Sequence, residues 1–558
     1  MSSAVEALRR LHHAYMSGDY IAAETGIQHA LEKWPTDPNL LQLGALTALQ
    51  TNQIVIAHQR SDLAMSLIEM TAEFANVRGR IFKAAGEWAL AEQSYRLAQK
   101  LDPKFDKAKL NLLNLLVISE QPKRVLEELG RGFDFGPVGD IAKAQAFSEL
   151  GEYDEALKTC NSLTSKGYED QTNLIKMKCH AGLGNLTDME LLYDQLKPQS
   201  PYKVKALIVL VNWLEMQGRR EQADTVIDTA MQSNQPALMV EAVRLLRRLD
   251  GTMRAEHVLN MIVRNHPENL DIMLEHGHAR RLGGEVSESC EIFKKALLLS
   301  PGNGAALTGY AQSSILAGQY DDAQFLLQSA LAQSPNNQFL LALVATLLRA
   351  KGGHHTGLYD YKNMVKAYDI AVPEGFGTIE AFNQSLSTCL SKFHTHKQAP
   401  INQTLRIGTQ TERDLSLVDD PVLRAFFRAI DAPIKNFMAA IGTDANHPMK
   451  RRNTGSYRIS GAWSVKLREN GHHVNHVHPM GWISSSYYVD VPQSVSDETK
   501  DGWIKFGEPN FDIGQKPEHF VQPKPGRLVL FPSYMWHGTI PFSGDQPRLT
   551  LPFDVVPG

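Results

Sequence analysis

One recurring spacing constrains this chain more than any other feature. In AGQYDDAQFLLQSALAQSP, Gly318, Tyr320, Ala323, Ala330 and Pro335 lie at offsets 0, 2, 5, 12 and 17. The same offsets return as Gly18, Tyr20, Ala23, Ala30, Pro35 and as Gly86, Trp88, Ala91, Ala98, Pro103. Weaker copies centre on Gly151, Gly184, Gly218, Gly251 and Gly284. Successive turn positions fall at 18, 52, 86, 120, 151, 184, 218, 251, 284, 318 and 352, with Asn52 and Glu120 in place of glycine at two of them. Glycine permits the turn between two helices, small alanines let the helices approach, and proline ends the second helix because it cannot continue it. One such hairpin cannot bury its apolar face alone, so the units must stack, presenting a concave groove.

This pattern resembles the tetratricopeptide repeat, and about ten units are expected over residues 1–355. The repeats stop after LLRAKGGHHTGLYDY. Residues 356–455 read as a mixed linker and helical support region, with the apolar spacing of DDPVLRAFFRAIDAPIKNFMAAIG predicting a helix. From 456 to 558 short strand-like runs dominate: AWSVKLR, WISSSYYVDV, GWIKF, GRLVLFP and RLTLPFDVV. Short strands separated by Gly and Pro, without intervening helices, predict an antiparallel jelly roll. The expected fold is therefore multidomain: an all-α superhelical solenoid, then a jelly-roll core with flanking helices.

Histidine concentrates where the strands begin, in GHHVNHVHPMGWISSSYYVDV. Extended side chains alternate, so His476 and His478 point the same way and make half of a transition-metal site. His537, in GRLVLFPSYMWHGTIPF, offers a third imidazole. Arg548 opens RLTLPF, with Thr550 on the same strand face. A permanent cation beside a metal site suits a dicarboxylate, which guanidinium binds in bidentate fashion. Three imidazoles also suit copper, nickel or zinc, so the ligands alone do not name the metal. His472 and His473 read as loop residues, and Tyr487 and Trp482 as core aromatics.

The order HxH, a strand carrying YY, a distal His, then Arg resembles the Fe(II)/2-oxoglutarate-dependent oxygenases. It is similar in particular to a bacterial and phage subgroup with an HxHP motif. The likeness spans roughly residues 360 to 558 and implies a double-stranded β-helix, a jelly-roll variant. It also implies Fe(II) as cofactor and 2-oxoglutarate and dioxygen as co-substrates. Carried over by position, His476 and His537 match the family's two metal-binding histidines, and Arg548 matches the arginine that clamps the far carboxylate of 2-oxoglutarate. Thr550 and Tyr488 match its neighbours, while Lys466 and Asn475 are expected to line the pocket. His478 departs from the pattern, standing where most of the superfamily has Asp or Glu. It is expected to serve as the third ligand, keeping the ligand count and removing one negative charge; the alternative is that two histidines suffice and His478 supports a ligand or touches substrate.

Composition sets the remaining bounds. Lys plus Arg is 57 and Asp plus Glu is 61, so no global basic excess exists to hold nucleic acid. Four scattered cysteines without a CxxC pair argue against a disulfide or thiolate-zinc framework and fit a reducing cytoplasm. Neither a signal peptide nor a membrane span is expected. Together these readings predict a cytoplasmic dioxygenase that hydroxylates a protein or peptide docked in the repeat groove. Two alternatives stay open: a non-catalytic repeat scaffold with a degenerate jelly roll, and an oxygenase acting on a small metabolite or a glycan. Homo-oligomerisation is open as well.

Overall fold

The computed structural model describes residues 3–163, 167–250, 252–353, 355, 357–401, 403–495 and 499–558. The chain divides into two compact units, one holding Met1–Glu128, Gln328–Asn337 and Pro557–Gly558, the other Leu129–Leu327 and Gln338–Val556.

The first unit is built of helical hairpins, beginning with Ala4–Met16 and Tyr20–Lys33 and continuing through Pro38–Gln50 and Ile54–Met65. The turn residues explain the periodicity. Gly18 and Gly86 have φ of 84° and 74°, and the two substitutes, Asn52 and Glu120, are held in the same left-handed region at 58° and 54°. The backbone path is thus conserved along the repeats even where glycine is not, and Glu120 carries the steric cost. Side chains at the hairpin starts take up otherwise unbonded amides: Asp19 accepts from Ala22 N and Asp37 from Leu40 N. Buried alanines such as Ala23, Ala57, Ala91 and Ala98 fill the helix contacts.

In the second unit the same hairpins run from Gly136–Leu150 with Tyr153–Ser162 to Leu270–Leu282 with Val286–Leu299, and it also holds the helices Gly304–Leu316 and Gln338–Ala350. The turn position at 251 lies outside the described residues. Phe293 shows how closely the helices pack: a Cβ on Gly277 or Gly309 would come within 2.8 or 2.4 Å of its ring.

The C-terminal part of this unit contains eleven strands among the described residues. They are β1 (Lys366–Asp369), β2 (Leu405–Gln410), β3 (Tyr457–Ala462), β4 (Val465–His473), β5 (Ile483–Asp490), β6 (Ile504–Phe506), β7 (His519–Val521), β8 (Arg527–Pro532), β9 (His537–Thr539), β10 (Arg548–Thr550) and β11 (Phe553–Pro557). An eight-stranded sheet runs β1-β8-β5-β10-β4-β2, with β11 pairing both β5 and β3, and a second sheet runs β7-β6-β9. The pairings are antiparallel, as in a jelly roll.

Four features differ from the sequence reading. Residues 356–455 supply two strands, β1 and β2, at the two ends of the main sheet path. The single helix expected from DDPVLRAFFRAIDAPIKNFMAAIG is two, Pro421–Ala429 and Asp431–Ile441. RLTLPFDVV breaks into β10 and β11 at Leu551–Pro552, where Pro552 has no amide and its carbonyl accepts from Trp463 N. His472 and His473 end β4 instead of occupying a loop. The helices Ile379–Ser391 and Pro421–Ala429 cover the sheet: Phe426 packs against Tyr487 at 5.0 Å between ring centroids, and Tyr487 Oη donates to Asn383 Oδ1.

Candidate metal and dicarboxylate site

The HxH segment follows β4 without itself being a strand. His476 is tied to the start of β9 by a two-way bridge, His476 N donating to His537 O at 2.8 Å and His537 N to His476 O at 3.0 Å. That bridge fixes two histidines distant in sequence side by side, with ring centroids 4.1 Å apart. His478 N donates to Ser533 O at 3.0 Å, which holds the third imidazole above the same space. One ligand atom from each of His476, His478 and His537 lies within 4.8 Å of the others.

The tautomers are set by what the other nitrogens touch. His476 Nδ1 faces Val474 O at 2.8 Å, and His537 Nδ1 faces Met535 O at 2.9 Å. A carbonyl only accepts, so each Nδ1 carries its proton and each Nε2 keeps a free lone pair. His478 Nδ1 lies 2.7 Å from both oxygens of Asp554, with the same consequence. His476 Nε2 and His478 Nε2 then sit 3.2 Å apart. Two nitrogens bonded to one cation at about 2.1 Å and about 100° would be separated by about 3.2 Å. The donor set therefore fits a divalent transition metal.

Electrostatics agree. Burial, helped by the neighbouring His478 imidazole, lowers the His476 pKa to about 3. Burial first, then His476 and His478, hold His537 well below the ordinary imidazole range. Both rings are neutral at physiological pH, the form that binds metal.

Arg548 occupies the same interior by way of β9. Its Nη1 donates to Gly502 O at 2.6 Å, and its Nη2 lies 3.5 Å from Thr539 Oγ1. Thr539 is two residues from His537 and on the same face of β9. Arg548 is only 2% exposed, yet its partners are a carbonyl and a hydroxyl, and its Nε has none. The Tyr488 hydroxyl, also buried, is unpartnered too, and the guanidinium carbon lies 6.0 Å from that ring. Burial lowers the Arg548 pKa and raises that of Tyr488. A buried guanidinium without a carboxylate, beside an orphaned hydroxyl, has the chemistry to receive one from a ligand.

The remaining predicted residues fall less uniformly. Thr550 shares the Arg548 face of β10, its Oγ1 at 3.5 Å from Val465 O. Lys466 does not join them: it pairs with Leu549, on the opposite face of β4, where its charge helps depress His394. Asn475 alternates away from His476, and its Nδ2 donates to Pro509 O at 3.2 Å. The sequence reading passed over Asp554, Ser484 and Trp463. Ser484 Oγ donates to Asp554 at 2.7 Å, and the Trp463 ring lies 5.8 Å from that of His478. One signal for Asp554 was present: a lone carboxylate in the otherwise apolar run LPFDVV.

A family model described as "Putative 2OG-Fe(II) oxygenase" matches residues 461–554, a span that contains all three histidines, Arg548 and Asp554. This C-terminal stretch is thus similar to the 2OG-Fe(II) oxygenase family. A tetratricopeptide-repeat model matches residues 284–347, directly ahead of the oxygenase domain's first strand. No curated protein matches the chain. Among solved structures the chain is similar to one in the crystal structure of the APC/C hetero-tetramer Cut9-Hcn1. The two are 15% identical with a TM-score of 0.27, over 63% of this chain and 91% of that one.

The helix Gln338–Ala350 packs beside the candidate site. Trp536, the residue before His537, donates its indole N–H to Thr346 Oγ1 at 2.9 Å and meets Phe339 edge-on at 5.8 Å. Arg349 donates to Gly507 O at 2.8 Å and pairs with Glu518 at 3.1 Å. Among the described residues no helix is long and apolar enough to cross a membrane.

Proposed function

We propose that this chain is an Fe(II)- and 2-oxoglutarate-dependent dioxygenase that hydroxylates a protein or peptide held by its repeat region. The observation that carries the reading is the pairing of two incomplete sites. Three imidazoles turn their Nε2 lone pairs to one point, and a buried, carboxylate-free Arg548 reaches the same strand two residues along. Either alone has ordinary structural explanations, whereas together they match the two ends of a metal-chelating dicarboxylate.

In this reading His476, His478 and His537 hold the iron, and Arg548, with Tyr488 and Thr550 beside it, takes the distal carboxylate of 2-oxoglutarate. The bound metal and co-substrate supply the oxidising chemistry. The protein binds, orients and keeps water out: the buried rings of Phe506 and Phe531 lie 6.4 and 4.6 Å from that of His537. No residue of the chain is required as nucleophile or general acid. Residues 1–355 serve as the docking arm, 356–455 as support and 456–558 as the catalytic core. Four free, buried cysteines suit the cytoplasm.

The purified full chain, supplied with Fe(II), ascorbate and 2-oxoglutarate, should form succinate, faster with peptides from a cell extract. Neither succinate nor metal uptake would favour the scaffold reading instead.

A further inference from the structure

His478 stands where the family pattern has Asp or Glu, and the carboxylate it displaces is not missing from the site. Asp554 lies directly behind it, both oxygens 2.7 Å from Nδ1. Asp554 is itself held in place. It pairs across the sheet with Ser484, whose hydroxyl donates to Oδ1 at 2.7 Å and meets Ser533 Oγ at 2.9 Å. Ser533 is also the residue whose carbonyl receives His478 N. One short chain of contacts thus fixes both the backbone and the ring of His478.

The geometry also explains why histidine is found there. In both side chains the third atom from Cα is the polar one, Nδ1 in histidine and Oδ in aspartate. An aspartate at 478 would put an oxygen about where Nδ1 now sits, against Asp554, and nothing where Nε2 now points. Two carboxylates that close do not both ionise. Histidine resolves the conflict by giving Asp554 a donor and still reaching the metal with its far nitrogen.

We propose that His478 and Asp554 work as one unit, Asp554 being the positioning residue that fixes the Nδ1–H tautomer and returns to the site the negative charge that histidine removes. This rests on the metal-site reading above. A carboxylate behind a ligating histidine orients the ring and raises its basicity, and its removal typically costs about 10- to 100-fold in metal affinity.

The test is anaerobic titration of the full chain with Co(II), followed by its absorption bands, and with Fe(II) by competition. D554N keeps the shape and removes the charge; it should bind about 10- to 100-fold more weakly and shift the Co(II) spectrum, with an unchanged melting temperature. H478D, although it supplies the carboxylate that most of the superfamily has at this place, should bind more weakly than the native protein. In an H478A background D554N should change affinity by less than about threefold, because Asp554 acts through the ring. Native-like binding by D554N, or by H478D, overturns the pair while leaving the metal site standing. If the native protein takes up no metal, the metal-site reading fails and the pair falls with it. Should D554N fail to fold, H478D still decides the matter.

Discussion

Replacing Arg548 by Met separates binding from folding. The two side chains are similar in length and volume, so the substitution removes the charge and the fork while leaving most of the packing. In the unliganded protein the losses are the charge-assisted hydrogen bond to Gly502 O, worth about 1.5–3 kcal/mol, and a long contact to Thr539. Against this stands the penalty of a cation that is 2% exposed and has no carboxylate partner, which is several kcal/mol per buried ion. R548M should therefore be at least as stable as the native protein to within about 1 kcal/mol. Binding changes in the opposite direction. Two charge-assisted bonds to one carboxylate contribute about 1.5–3 kcal/mol each, so 2-oxoglutarate affinity should fall by about 10²- to 10⁴-fold. The assay is thermal melting and calorimetry with Co(II) held constant and 2-oxoglutarate varied. The native protein should gain about 2.7 kcal/mol at a hundredfold excess over Kd, and R548M no more than about 0.4 kcal/mol at the same concentration. Retention of 2-oxoglutarate affinity within tenfold would refute the carboxylate clamp. A loss of more than about 2 kcal/mol of unliganded stability would show that Arg548 is a pillar of the fold.

Three further outcomes are expected. Thr346→Val leaves the buried indole N–H of Trp536 without its acceptor and should cost about 1–3 kcal/mol in urea unfolding; no change would mean the bond contributes nothing to stability. The folded His476 and His537 resist protonation, whereas unfolded imidazoles titrate near 6.5, so the unfolded state binds more protons below that pH. Their contribution is complete above about pH 6.5 and is lost as pH falls, by up to about 1.4 kcal/mol per pH unit for each ring. Urea midpoints of the metal-free protein between pH 7.5 and 5 should show that slope, reduced in H476N. At the repeat turns, Glu120→Gly relieves a left-handed glutamate at φ 54° and should be neutral to stabilising by about 1 kcal/mol. Gly86→Ala, at φ 74°, should destabilise by a similar amount. Equal effects of the two would refute the turn argument.

Much of this was legible in the sequence because it rests on local periodicity. A turn every 31 to 34 residues needs only the chain's own register to be read, and spacing alone locates even Asn52 and Glu120, whose φ values are left-handed. The pairs His476/His478 and Arg548/Thr550 followed from alternation in extended backbone. What escaped was set by long-range pairing. β1 and β2 are short edge strands completed by β8 and β4, more than 50 residues away, and carry little pattern of their own. Lys466 was misplaced because alternation says that neighbours diverge but not which face is inside. Asp554 sits 76 residues from His478 and is joined to it only by the folding of β11 against β5.

The charges at the site explain why such a remote residue matters. Neutral imidazoles contribute ligands but no charge, so a divalent cation chelated by a dicarboxylate dianion would be balanced without help. What would remain in the buried interior is the Arg548 guanidinium, proposed to orient the co-substrate and unmatched by any carboxylate beside it. Asp554, on the far side of His478, would be the anion that brings the loaded site to neutrality. A conventional ligand carboxylate would do the same from within the coordination shell. In the proposed site it lies one residue outward, and His478 would connect it to the metal. The cost of an unbalanced charge in such an interior makes the two positions interdependent: a change at 478 or at 554 alone should be worse than the conservative nature of the substitution suggests.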